Sequence, residues 1–162
     1  TSFMPPRFVK GPRHQGTQDD HFDQGGHLQG LQCIQGSIAL TDSEPGDGCF
    51  LCWPGSHRSH EALMRDRERL GRVGATTARY GGSKYYVPLT KSELSRLETE
   101  WGFQRRHVHV KAGDVVLWRS DLVHSGAPPY LPTPRFRAVV YVCMAPAALT
   151  PAECYAEKQL AY

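Results

Sequence analysis

Short apolar runs separated by turn residues dominate the chain, a pattern that predicts many brief strands and few helices. Over residues 28–40 the apolar positions Leu28, Leu31, Cys33, Ile34, Ile38 and Leu40 read as strand, with Gly30 and Gly36 as bends. The turn cluster Asp42-Ser-Glu-Pro-Gly-Asp-Gly48 leads into a strand over 49–53, closed by Pro54-Gly55. Further strands are expected over 107–110, 114–118 and 135–144, the last rich in β-branched and aromatic residues. Residues 1–20 are polar and Pro-bearing without periodicity, so they read as an irregular arm.

Helix signals are fewer. Residues 61–70 are charged and helix-prone, with Gly71 as the stop. Thr90-Lys-Ser-Glu93 is a capping box that opens a helix towards Trp101, with Gly102 behind it. Thr150, Pro151 and Glu153 repeat the device near the end. About six strands with two or three helices point to a small β-sandwich or open barrel.

Composition narrows the picture. The 162 residues suit one domain, and 40% hydrophobic content suffices for a core. Gly 16 and Pro 12 are enough for many turns but too few for a low-complexity chain. A net charge of +3 is too mild to indicate nucleic acid or an anionic membrane as partner. The longest apolar run, 138–149, is interrupted by Pro146 and falls short of the roughly 18 residues of a membrane span. Five cysteines, an odd number, do not form a disulfide framework, so an intracellular, cytoplasmic setting is expected.

The chemistry concentrates in His21-Phe22-Asp23 and His124. In an extended segment residues i and i+2 share a face, so His21 and Asp23 can ligate one ion together. A second histidine from another strand completes a 2-His-1-carboxylate triad, whose open positions suit Fe(II). Arg135 and Arg137 also share a face, and a guanidinium matches a carboxylate two donors to two acceptors. Gln35, Trp118 and Tyr141 are candidates for lining the same pocket.

Rival metal patterns are weaker. Cys49-x2-Cys52 has zinc-knuckle spacing but sits on a strand, so buried thiols are the expectation. His107-x-His109 lacks a carboxylate at matching spacing, and His14, His27 and His60 read as surface residues. His57 reads as turn-stabilising. The basic residues at 65, 67, 69, 72, 79 and 84 alternate with acids and read as a solvated face, the sharper alternative being a rim for an anionic substrate.

With these residues in view, the sequence resembles the phytanoyl-CoA dioxygenase family of Fe(II)/2-oxoglutarate oxygenases. The resemblance rests on His21-Phe-Asp23, Ile38-Ala-Leu-Thr-Asp42, Gly48-Cys-Phe-Leu-Cys-Trp-Pro-Gly-Ser-His57-Arg58, Gly113-Asp114, His124-Ser-Gly126 and the arginine before Ala138-Val-Val-Tyr-Val142. It runs from about residue 20 to 146. It implies a mainly β, double-stranded β-helix (a jelly-roll or cupin-like barrel) with a few peripheral helices. Iron would be held by His21, Asp23 and His124, and the distal carboxylate of 2-oxoglutarate by Arg137 or Arg135. Spacing from the distal histidine favours Arg135; alignment on the following strand favours Arg137, towards which we lean.

The implied reaction consumes 2-oxoglutarate and O2, releases succinate and CO2, and hydroxylates a C–H bond of an unidentified small-molecule or other organic substrate, with ascorbate as reductant. Halogenating relatives lack the acidic ligand, so Asp23 favours the hydroxylase outcome. Only twenty residues precede His21, and the chain is expected to be one domain, 1–162, lacking the N-terminal part usual in this family. The competing readings are a cupin-like metal- or ligand-binding module without turnover, and a metal-dependent hydrolase or isomerase on the same fold. Substrate and oligomeric state have no signature in the sequence.

Overall fold

The computed structural model describes residues 2–4, 20–71, 85–130, 135–149 and 152. Nine strands are β1 (Ser2–Met4), β2 (His21–Phe22), β3 (Ile34–Ala39), β4 (Cys49–Cys52), β5 (Val87–Pro88), β6 (Arg106–Val108), β7 (Val115–Arg119), β8 (His124–Ala127) and β9 (Arg137–Met144). Among the described residues two α-helices, α1 (His60–Arg69) and α2 (Lys91–Thr99), flank β5 in sequence. Short 3-10 turns occupy Ser56–Ser59 and Ala147–Leu149.

The strands form two antiparallel sheets, a four-stranded one in the order β1-β9-β3-β7 and a five-stranded one in the order β5-β2-β8-β4-β6. They face each other as in a double-stranded β-helix, but remain two separate ladders and do not close into one barrel. Phe50 of β4 meets Trp118 of β7 across the gap, their ring centroids 4.4 Å apart. Behind the five-stranded sheet, α1 and α2 close a second core built on Phe22, Trp53, Leu63, Leu97, Phe103 and Val123.

Strand alternation decides which side chains reach the chemistry. Phe22 and Val123 turn to the helical core, so their neighbours His21, Asp23 and His124 turn to the gap between the sheets. In the other sheet Gln35 pairs with Trp118 on one side and Cys143 on the other, and all three face the same gap.

The helix signals hold. Thr90 accepts from the Glu93 amide at 3.2 Å, while the Glu93 carboxylate accepts from the Thr90 amide at 2.7 Å. Gly71 ends α1's last turn at φ +64° and Gly102 follows α2 at φ +68°, both in the left-handed region that glycine tolerates.

Four expectations need correcting. Residues 2–4 are not irregular, because they pair with β9 through Ser2↔Val139. The strand foreseen over 28–40 is confined to Ile34–Ala39, since Gln24 bonds the Leu28 and Gly30 carbonyls into a turn. His60 is buried, its Nε2 2.9 Å from the Gln24 carbonyl. Arg67 is no part of a solvated face: it is buried and bound in a fork by Glu93. The expected helix start at Thr150 lies outside the described residues, as do His14 and the basic positions 72, 79 and 84.

Candidate functional site

His21 and His124 are Cα partners across β2 and β8, which brings together residues 103 positions apart in sequence. Asp23, just past the end of β2, places one oxygen towards each imidazole. Oδ1 lies 3.3 Å from His21 Nε2 and Oδ2 lies 3.4 Å from His124 Nε2. One ligand atom from each of the three lies within 4.8 Å of the others, close enough to share one ion.

Hydrogen bonds around the trio set its orientation. His124 Nδ1 lies 3.0 Å from the Leu122 carbonyl, which can only accept, so this nitrogen donates and Nε2 is the atom turned towards Asp23. Gln35 Nε2 donates to Asp23 Oδ2 at 2.8 Å. Burial pushes the Asp23 carboxyl up, but hydrogen bonding and charge from His124 and His21 outweigh it and hold the group well below the usual carboxylate range. Two imidazole nitrogens and an ionised carboxylate on one side of an open cavity suit a divalent transition ion.

That cavity, about 400 Å3, lies between the sheets. Tyr86, Phe50, Trp118, Tyr141 and Arg137 line it with the trio. Among the described residues, three buried polar atoms on its walls lack a partner: Arg137 Nε, Trp118 Nε1 and Gln35 Oε1. A buried guanidinium nitrogen without an acceptor is costly, and an anion in the cavity would satisfy it.

The two candidate arginines separate here. Arg135 lies outside the cavity lining and binds Asp47, with Nε donating to Oδ2 at 2.9 Å and Nη2 at 2.7 Å from the same oxygen. Arg137, two residues on, opens β9 and lines the cavity. Gln35, Trp118 and Tyr141 also line the cavity.

A phytanoyl-CoA dioxygenase family model matches residues 2–129. The chain belongs to the phytanoyl-CoA dioxygenase family. Solved structures show the corresponding fold. AviO1 from Streptomyces viridochromogenes is 22% identical with a TM-score of 0.52, over 85% of this chain and 47% of that one. EctD from S. alaskensis, solved with 2-oxoglutarate and 5-hydroxyectoine, is 18% identical with a TM-score of 0.51, over 78% and 35%. EvdMO1 is 21% identical with a TM-score of 0.50, over 82% and 24%. The chain thus spans about a quarter to a half of the length of these proteins. No curated protein sequence matches it significantly.

Within this member of the phytanoyl-CoA dioxygenase family, Pro54-Gly-Ser-His57 gains a physical explanation. Ser56 Oγ accepts from the Val123 amide at 2.9 Å, so the turn fixes the backbone immediately before His124. His57 is partly exposed, and burial lowers its pKa. Cys49 and Cys52 are free and buried, and burial raises both thiols. His107 and His109 stack 6.3 Å apart on the surface, outside the metal-competent trio.

Sequence reasoning missed Tyr86, whose ring centroid lies 4.3 Å from that of His21. It also missed Cys143 on the cavity wall, whose Sγ lies 3.1 Å from that of Cys33. Neither sits in a motif. The alternation of β9 places Cys143 on the face of Tyr141, a signal that could have found it. Among the described residues no helix is long and apolar enough to cross a membrane.

Proposed function

We propose that this chain is an Fe(II)- and 2-oxoglutarate-dependent oxygenase that hydroxylates a C–H bond of a small organic substrate. The observation that carries the reading is one cavity holding His21, Asp23 and His124 together with the unpartnered Arg137 Nε. Family membership supports the reaction class. The binding of 2-oxoglutarate by EctD, a structure of the same fold, supports the co-substrate.

In this reading His21, Asp23 and His124 would hold iron at the wall of the cavity that would admit the co-substrate. Bound iron would activate O2 and couple decarboxylation of 2-oxoglutarate, to succinate and CO2, with substrate oxidation. Arg137 anchors the distal carboxylate of 2-oxoglutarate, which would give its Nε the acceptor it lacks. Gln35 holds Asp23 Oδ2 and so fixes the carboxylate rotamer. Trp118 and Phe50 flank the His124 ring at centroid distances of 5.3 and 5.6 Å and keep that side apolar. Tyr141 and Tyr86 stand on the walls left for substrate. Ascorbate would serve only to keep the iron reduced. The free thiols at Cys33, Cys49, Cys52 and Cys143 fit a reducing, cytoplasmic setting.

The deciding experiment adds Fe(II) and 2-oxoglutarate to the protein without oxygen. A weak visible charge-transfer band should appear, and Asp23→Ala should abolish it. Absence of the band after metal reconstitution removes the oxygenase reading. A band without succinate formation in air, across a panel of candidate substrates, favours a binding module without turnover.

A further inference from the structure

The HxD motif is flanked by a second, buried carboxylate that does not itself line the cavity. Asp20 directly precedes His21, its side chain only 4% exposed. Three elements converge on it. Ser125 Oγ donates to Oδ1 at 2.5 Å, Trp53 Nε1 donates to Oδ2 at 3.1 Å, and Arg105 Nε lies 3.2 Å from Oδ2. The Asp20 carbonyl also accepts from the Leu89 amide at 2.8 Å, which fixes its backbone.

The sequence positions of these partners give the arrangement its meaning. Asp20 adjoins His21 and Ser125 adjoins His124, so one hydrogen bond ties the residue before the first histidine to the residue after the second. Trp53 is the link to a third element, since its own amide donates to the Val123 carbonyl at 2.9 Å. The far side of the motif is tied as well. Gln24 Oε1 accepts from Ser120 Oγ at 2.8 Å, and the Asp23 amide donates to the Ser120 carbonyl at 3.0 Å.

The pairing of β2 with β8 does not itself supply this precision. Their register rests on the single pair His21↔His124, and β2 is only two residues long. A short ladder leaves the separation of two imidazoles weakly determined, whereas ligands must be held within about 0.5 Å of working geometry. A charged acceptor buried among three donors is a stronger fixing point than a neutral bond. Arg105 stands 3.2 Å from the same carboxylate as its opposite charge.

We propose that Asp20 is a positioning residue, clamping β2 to β8 through Ser125 and Trp53 so that His21 and His124 are preset at the separation one metal ion requires. The inference rests on the metal-site reading of His21, Asp23 and His124. It assigns Asp20 no contact with metal or substrate.

The test uses Co(II), whose visible bands report coordination geometry without any turnover. Titration of the parent chain should give a band that His21→Ala and Asp23→Ala remove. Asp20→Asn keeps the volume but loses an acceptor oxygen, and should weaken Co(II) binding about 10- to 100-fold and shift the band. Ser125→Ala deletes one hydroxyl and should act in the same direction; it carries the test if the Asp20 variant fails to fold. Both are measured well below their melting temperatures, with Tm recorded separately. A lowered Tm with unchanged affinity and band would reduce Asp20 to a structural residue and overturn the proposal. A parent chain without a band dependent on His21 and Asp23 overturns the metal-site reading first, and the clamp falls with it.

Discussion

Arg67 and Glu93 join the two helices through a buried, two-pronged ion pair. Arg67 Nε lies 2.6 Å from Oε1 and Nη2 lies 2.6 Å from Oε2. Arg67 Nη2 also donates to the Pro88 carbonyl at 2.7 Å, so α1 is tied to α2 and to β5 at once. Glu93 is also the capping residue of α2, and its carboxylate serves two purposes. The helices cover Phe22 and Val123, the residues beside the histidine ligands, which connects this pair to the site.

Arg67→Met should therefore destabilise the fold by about 3–5 kcal/mol, because it strands a buried carboxylate. Burial pushes the Glu93 carboxyl up, but the Arg67 guanidinium and the Thr90 amide outweigh it and hold the group below its ordinary value of 4.5. A depressed folded value means that the pair's contribution is complete above 4.5 and is lost as pH falls from there through the folded value. Urea unfolding of the parent and Glu93→Gln should show a gap at pH 7 that narrows below about 4.5. A gap independent of pH would contradict the assignment.

Gly55 should resist substitution. It sits at φ +90°, and a Cβ there would lie 2.9 Å from Arg58 Nη2 and 3.0 Å from Phe103 Cε1. Gly55→Ala is expected to cost about 1–3 kcal/mol from backbone strain and crowding. Since Ser56 fixes the Val123 amide, the same change should also weaken metal binding at His124. Thermal melts and Co(II) titration read the two effects separately; an unchanged Tm would be inconsistent with the close contacts.

The arginines should part in kinetics as they do in space. Arg137→Leu is expected to raise the KM for 2-oxoglutarate about tenfold or more, through loss of a charged hydrogen-bond partner. Arg135→Leu should leave that KM within about twofold and lower Tm slightly, through the lost contact with Asp47. The reverse pattern would move the co-substrate anchor to Arg135.

Metal should stabilise the folded chain, because ligands separated by 103 positions meet only in the fold. At a free Ni(II) concentration a hundred times its Kd, stabilisation of about 2.7 kcal/mol should raise Tm by about 5–10 °C. Chelation should reverse the rise and Asp23→Ala should abolish it. An equal rise in that variant would place the ion elsewhere.

Local chemistry made much of this protein legible from residue order. The i, i+2 spacing of His21 and Asp23, the Thr90 capping box and the glycine stops at 71 and 102 depend on near neighbours, and each took its expected form. The resemblance carried by Pro54-Gly-Ser-His57 and His124-Ser-Gly126 supplied the fold class. What sequence left open was decided by distant partners. Arg135 and Arg137 share one local pattern, and only Asp47, 88 positions away, draws the first out while the second faces the cavity. Arg67 sits in a run of charges that looks solvated, and only the packing of α2 against α1 buries it. Asp20 is one more acid in a polar stretch until β8 and Trp53 close on it. Periodicity and capping act over one turn or one pleat, whereas burial and ion pairing depend on which surfaces meet, and that is set only when the two sheets and two helices come together.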